Sequence, residues 1–437
     1  MKKLLMNISL LLSAAALLAN PQSALAEEKS LQELVDKTPP EGTLELEGRV
    51  YEGNVTIDKP MTIVGKEGTH IRGDGTGTVI EIDSPHVTLD TMHVSGSGMD
   101  QSSDEEYSGI RVMGENAVIK NVKVTDVFHG VYLSRADNST IDNVTIIGQQ
   151  SDSLAKQGNG IQIVRSNNNV IQNTYIEKTR DGIYVEYSNN NMITNNKVTE
   201  TRYGLHYMYA DYNEFHDNEF VGNIGGAAIM QSDSLLLENN SFSFNQGSRS
   251  FGLIIQTSRE VHVLNNKFYQ NQRGLYLEQS TSNTIEGNEF FHNQIGVELW
   301  TSSTAHTFFN NVFRKNNTHV VTIGGESFND WFKNGVGNYW DDPILDLNQD
   351  GIGDAPFEAT STLGNLLEEN ELAYLFLSSP AINLYEKANA LLGNQRIMAV
   401  DEYPLINERE NQPMLWMAVL LIGMATGPYF VWKGRKA

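Results

Sequence analysis

One phrase, a glycine followed by alternating apolar and polar residues, returns along this chain at steps of about 22 residues, and that return limits the fold more than anything else. It reads Gly109-Ile-Arg-Val, Gly130-Val-Tyr-Leu, Gly160-Ile-Gln-Ile, Gly182-Ile-Tyr-Val, Gly204-Leu-His-Tyr, Gly252-Leu-Ile-Ile, Gly274-Leu-Tyr-Leu and Gly296-Val-Glu-Leu, with a degenerate copy at Gly226-Ala-Ala-Ile-Met. A fixed period of this size marks a solenoid, in which each repeat buries its apolar face only against its neighbours. The alternation within each unit has the period of a strand, and the apolar spacing of a helical repeat is missing. Asn, Asp, Ser and Gly fill the stretches between, where tight turns need left-handed backbone. The expected fold is an all-β solenoid, a right-handed parallel β-helix over residues 27–340.

A second register supports it. Asn196, Asn218, Asn240, Asn266, Asn288 and Asn311 each stand two residues before Val198, Phe220, Phe242, Phe268, Phe290 and Phe313. Stacked at the strand spacing of about 4.8 Å, they predict an Asn ladder in a turn and an aromatic stack beneath it.

The two ends read differently. Lys2-Lys3, an apolar run from Leu10 to Leu18 and Ala24-Leu-Ala26 make a secretory signal over residues 1–26. From Met414 to Trp432 run 19 residues without a formal charge, followed by Lys433, Arg435 and Lys436. That length spans a hydrocarbon layer, and the basic tail favours the cytoplasmic side. A transmembrane helix is expected at 413–432 and a cytoplasmic tail at 433–437, with the body on the extracytoplasmic face of the membrane, in a periplasm or its equivalent. Leu31, Leu34 and Val35 predict a short amphipathic cap on the first turn. Residues 341–412 hold an Asp/Asn-rich loop, a small helical segment from Leu363 to Met398 expected to cover the last turn, and a linker.

With 31 basic against 54 acidic side chains and a formal charge of -23, the chain repels phosphate backbones, so no nucleic acid partner is expected. The absence of cysteine removes disulfides, thiolate metal sites and cysteine nucleophiles together. His, Met and carboxylates are left as the ordinary metal ligands.

In the strand after each glycine, positions one and three face the core and positions two and four face out. The outward column then carries His206, Met208 and Met230 on consecutive turns, beside Tyr184, Glu186, Tyr276, Glu278, Glu298 and Trp300. Strand rise puts His206 and Met208 roughly 7 Å apart, and the spacing between turns puts Met208 and Met230 roughly 5 Å apart. Imidazole and thioether suit copper, above all the reduced ion; a partner-binding surface is the other reading of exposed Met and Tyr. Met92, His93 and Met99 form a weaker second cluster. Asp346, Asn348, Asp350 and Asp354 alternate oxygen ligands around Gly351 as calcium requires, but Phe357 stands where a full calcium loop has Glu, and the same residues also form a self-stabilised turn. The stretches 95–107 and 148–159 leave the coil either as recognition loops or as tolerated insertions.

Parallel β-helices also house lyases, hydrolases and epimerases of acidic glycans. Arg180, Arg202, Glu186, Glu278 and Glu298 are the residues such chemistry would draw on, yet the spacing gathers no pair of carboxylates in one cleft.

Four segments carry a resemblance: Gly204-Leu-His-Tyr-Met-Tyr209, Asn338-Tyr-Trp-Asp-Asp342 with Asp346-Leu-Asn-Gln-Asp-Gly-Ile-Gly-Asp-Ala-Pro356, Leu377-Ser-Ser-Pro-Ala381, and Asp401-Glu-Tyr-Pro404. Together they resemble the NosD family of extracytoplasmic accessory proteins for nitrous oxide reductase, a denitrification enzyme. The resemblance implies a non-enzymatic role in assembling the reductase's copper-sulfur centre. It also implies work with an ABC-type transporter, made of an ATPase and a membrane subunit, and contact with a copper-delivering lipoprotein. The C-terminal apolar segment departs from the usual family form and would tether the protein to the membrane.

Overall fold

The computed structural model describes residues 30–99, 105–149, 154–247 and 249–407. Between Thr43 and Trp340 short strands follow one another, each bonded in parallel to the strand one turn later. The product is a right-handed parallel β-solenoid of about 12 turns, with 12 strands in one sheet and 23 in the sheet that forms the other two sides. Those two sides share the long strands Val87–Ser95 and Val118–Thr125.

The recurring glycine has a steric cause. A Cβ on Gly204 would lie 2.5 Å from the carbonyl oxygen of Gly226, and one on Gly182 would lie 2.3 Å from Val198 Cγ1. Successive turns therefore touch through the backbone where the repeat places its glycine.

The Asn ladder forms as the register predicts. From Asn196 through Asn311, the backbone N–H and Nδ2 of each ladder residue donate to Oδ1 of the next at 2.8–3.1 Å, and Asn338 closes the series. A parallel ladder through Asn223, Asn245, Asn271, Asn293 and Asn316 was not foreseen. These amides supply partners to buried turn backbone that would otherwise go unsatisfied. In the core the rings of Phe220, Phe242, Phe268, Phe290 and Phe313 stack at 4.7–5.3 Å between centroids.

Both ends of the core are closed. At the first turn the helix Leu31–Lys37, capped by Ser30, buries Leu31 and Val35 as expected. The Gln32 amide also bonds the backbone N–H and C=O of Thr56, filling an open strand edge. At the far end Trp340 stacks on Phe313 at 4.4 Å and Phe357 on Trp340 at 4.7 Å. Phe357 opens the hairpin Phe357–Ser361/Arg396–Asp401.

The helical segment lies over the last turn and its neighbours, against the side of the coil and not its open end. Leu363, Leu367, Tyr374, Leu377 and Ile382 bury against Ile295, Val321 and Ile323, along the outer face of the sheet of 12 strands. The outward positions of these late turns are themselves apolar, so the sheet carries a second greasy face that has to be covered. The signal segment, the apolar run at 413–432 and the basic tail lie outside the described residues. Among the described residues no helix is long and apolar enough to cross a membrane.

Candidate metal centre

The strands Asp181–Glu186, Tyr203–Met208 and Gly225–Met230 pair in register, so that Glu186, Met208 and Met230 form one column and Tyr184, His206 and Ala228 the next. Ile183, Val185, Leu205 and Tyr207 fill the interior, and the alternation turns His206, Met208 and Met230 onto one outer wall. The wall is not open to solvent. His206 is only 6% exposed, and both methionines are half-buried.

What covers His206 is a cleft of about 420 Å³ whose walls come from both excursions: Glu106 from the first, Gln157 and Asn159 from the second. Gln149 ties the two together, its Nε2 donating to Asp126 Oδ1 at 3.1 Å and lying 3.2 Å from Met99 Sδ. Inside, His129 Nε2 bonds Glu106 Oε2 at 2.7 Å, and its Nδ1 accepts the Asn159 backbone N–H at 2.9 Å.

The centre of the cleft is a carboxylate held from two sides. Asp181 is 1% exposed, and it accepts Arg202 Nε at 2.8 Å and Nη2 at 2.5 Å while its Oδ2 lies 3.0 Å from His206 Nδ1. Burial alone would raise the Asp181 pKa. The hydrogen bonds from His206 and Arg202 and the guanidinium charge outweigh it and hold the carboxyl below the usual carboxylate range. Tyr184 and Tyr203 stand edge-on to the imidazole at 5.0 and 5.2 Å.

This arrangement decides what His206 offers. A neutral imidazole bonded to a carboxylate through Nδ1 carries its hydrogen there and leaves the Nε2 lone pair unprotonated. Nε2 is buried and has no hydrogen-bond partner among the described residues. Two strand positions on, Met208 brings its sulfur to 3.6 Å from the Tyr184 hydroxyl. A carboxylate behind a histidine whose far nitrogen is bare is the usual support of a metal-ligating imidazole, and a thioether beside it favours copper.

Other candidates fare differently. Met230 lies on the Met208 column, but it also packs with Ala228, Phe251, Ile254 and Tyr276, so it has the packing partner that the sequence did not show. Tyr276 and Glu298, expected on an exposed face, are buried, as are Ala228 and Ile254 at the equivalent positions of their strands. Glu298 is covered by the helical segment, where the Tyr374 hydroxyl donates to its Oε1 at 2.9 Å and Arg273 pairs with that oxygen at 3.1 Å, while Ala228, Ile254 and Tyr276 pack together with Phe251. Met92, His93 and Met99 are not gathered. Met92 is in the core, Met99 meets Gln149, and His93 stacks on His70 at 4.1 Å with its Nε2 on Thr125 Oγ1.

In the proposed calcium loop the oxygens are engaged by the loop itself. Asp346 accepts from Gln349 and Gly351 N–H, Asn348 from Asp350 N–H, Asp350 from Ile352 N–H and Asp354 from Leu347 N–H. Among the described residues no group of three or more His, Asp or Glu converges as a metal site.

Sequence reasoning missed Asp181 and Glu106. Asp181 occupies the position before its glycine, a column that carries His129, Asn159, Tyr203 and Arg273 on other turns. Attention to that column, and not only to the positions after the glycine, would have found it.

A family model described as periplasmic copper-binding protein (NosD) matches residues 147–344. A probable ABC transporter binding protein NosD of Pseudomonas aeruginosa is 25% identical over 130 residues, which is 30% of this chain and 30% of that relative, so the match spans under a third of the curated protein. Among solved structures, the A-module of mannuronan C-5 epimerase AlgE6 from Azotobacter vinelandii is similar with a TM-score of 0.57 at 11% identity, over 72% of this chain and 94% of the module. The catalytic domain of a GH87 alpha-1,3-glucanase reaches 0.55 at 14% identity, over 74% and 70% of the two chains. PfbA, a surface adhesin of Streptococcus pneumoniae, reaches 0.51 at 14% identity, over 64% and 85%. Enzymes and an adhesin thus share this coil, and the likeness is one of fold. The family match, which covers the turns that carry His206, Met208 and Met230, is of another kind: over residues 147–344 the chain is similar to the NosD family in sequence.

Proposed function

We propose that this protein is a maturation factor for nitrous oxide reductase that holds copper as cargo during assembly of the copper-sulfur centre. The observation that carries the reading is the bare, buried Nε2 of His206, anchored from behind by Asp181 and flanked by Met208. His206 and Met208 form the core of the site, and Met230 supplies a second thioether from the next turn. The protein works beside an ABC-type transporter, takes the metal from a copper-donor lipoprotein, and is tethered at the extracytoplasmic face of the membrane by residues 413–432. The name of the Pseudomonas relative supports the transporter partnership. Calcium has no part in this reading.

Anaerobic titration of the full chain in detergent with Cu(I) against a competing chelator tests it. His206→Ala and Met208→Ala each lower the affinity at least tenfold; unchanged affinity in both removes the site. Deletion in a denitrifying host lowers the copper content and activity of its nitrous oxide reductase. The glycan-enzyme alternative predicts turnover of alginate or polygalacturonate by the purified chain, and the maturation reading predicts none.

A further inference from the structure

We infer that Arg202 sets the charge of the ion that the His206 cleft accepts, by cancelling Asp181 so that a singly charged cation is favoured over a divalent one. The inference rests on the copper reading of His206 and Met208.

The donors themselves, an imidazole nitrogen and thioether sulfurs, carry no charge. The one carboxylate in contact with the imidazole is Asp181, and Arg202 spends two N–H groups on it, at 2.8 and 2.5 Å. A planar guanidinium held in this way keeps its charge at any ordinary pH. Its Nη2 also lies 3.5 Å from His206 Nδ1, so the positive charge sits on the side of the ring away from the unpartnered Nε2. The turn 180–186 adds one charge of each sign, Arg180 and Glu186, to the same cleft. Glu106, bonded to His129, adds one more negative charge.

Asp181, Glu186 and Glu106 against Arg180 and Arg202 leave the lining one net negative charge, which balances a singly charged ion on Nε2 and half of a divalent one. Doubling the charge on the ion doubles its repulsion from Arg202 and raises the cost of stripping its water more steeply. Without a second compensating anion a divalent ion loses on both counts.

The test uses the full chain in detergent, titrated under anaerobic conditions with Cu(I) and, separately, with Zn(II). Arg202→Gln leaves Asp181 uncompensated and raises Zn(II) affinity at least tenfold, and Cu(I) affinity only by about the square root of that factor. Arg202→Lys keeps the charge and the parent's ratio. Asp181→Asn with Arg202→Gln removes both charges and returns the ratio to the parent's; it also serves if the single Gln variant fails to fold around a bare buried carboxylate. A Zn(II) to Cu(I) ratio unaltered by Arg202→Gln, or one that stays shifted in the double variant, overturns the inference while Cu(I) binding that depends on His206 stands. Cu(I) uptake insensitive to His206→Ala overturns both readings together.

Discussion

Asp401 accepts the indole N–H of Trp340 on its Oδ2 at 2.9 Å, and the same oxygen accepts the Asn338 backbone N–H at 2.7 Å. Two of the segments that carry the family resemblance, 338–342 and 401–404, thus meet at one buried carboxylate. It locks the aromatic plug onto the end of the core. Burial pushes the Asp401 pKa up in spite of these hydrogen bonds. Asp401→Ala leaves buried donors without an acceptor and costs about 3 kcal/mol. Asp401→Asn keeps an acceptor without the buried charge and costs about 1 kcal/mol. Thermal unfolding of the two variants checks the order.

The aromatic stack predicts a local failure. Phe268 lies 5.1 Å from Phe242 and 4.7 Å from Phe290 and is fully buried. Phe268→Ala opens a cavity and costs about 3–5 kcal/mol. In a solenoid each turn leans only on its neighbours, so amide hydrogen exchange accelerates in the turns on either side of 268 and stays at parent rates near the first helix. Uniform acceleration along the coil would contradict it.

Acid should loosen the coil through its histidines. His306 is fully buried, its Nδ1 accepts the Asn283 N–H at 3.1 Å, and burial pushes its pKa down to about 4. His93 is also pushed down to about 4, first by burial and then by His70 and Lys123. In the unfolded chain both return to about 6.5. As the pH falls the unfolded state binds protons first, so the stability these neutral rings contribute is full above about 6.5 and is lost between there and 4. For His306 the loss is on the order of 3 kcal/mol. Melting curves at pH 7 and pH 4.5 measure it, and His306→Asn narrows the gap between them.

The covering segment makes a further prediction. Tyr374→Phe removes the hydroxyl that donates to the fully buried Glu298 and leaves that oxygen to Arg273 alone. A cost of about 2 kcal/mol follows, read by thermal unfolding. Cu(I) affinity changes less than threefold, because Tyr374 belongs to a different part of the outer face from His206.

How far the sequence could be read depended on distance along the chain. Asn218 and Phe220 were legible because their partners recur after one turn, at a fixed offset from each other. The shared wall of Met208 and Met230 was legible for the same reason. The burial of Glu298 was not, since it involves Tyr374, which lies 76 residues beyond it and outside the repeat. Asp181 escaped because a strand position just before the glycine gives no periodic sign of its partner. Glu106 and Gln157 come from stretches with no period at all, and only the fold brings them to one cleft.

Asp181 and His206 are 25 residues apart in the chain and 3.0 Å apart in space. That pairing makes changes of chain length quantised. A whole coil can be spliced in or out beyond Met230 and leave the pair untouched. A single deletion between residues 187 and 202 would flip the parity of the strand that follows, send the imidazole into the core, and turn the Leu205 side chain out in its place.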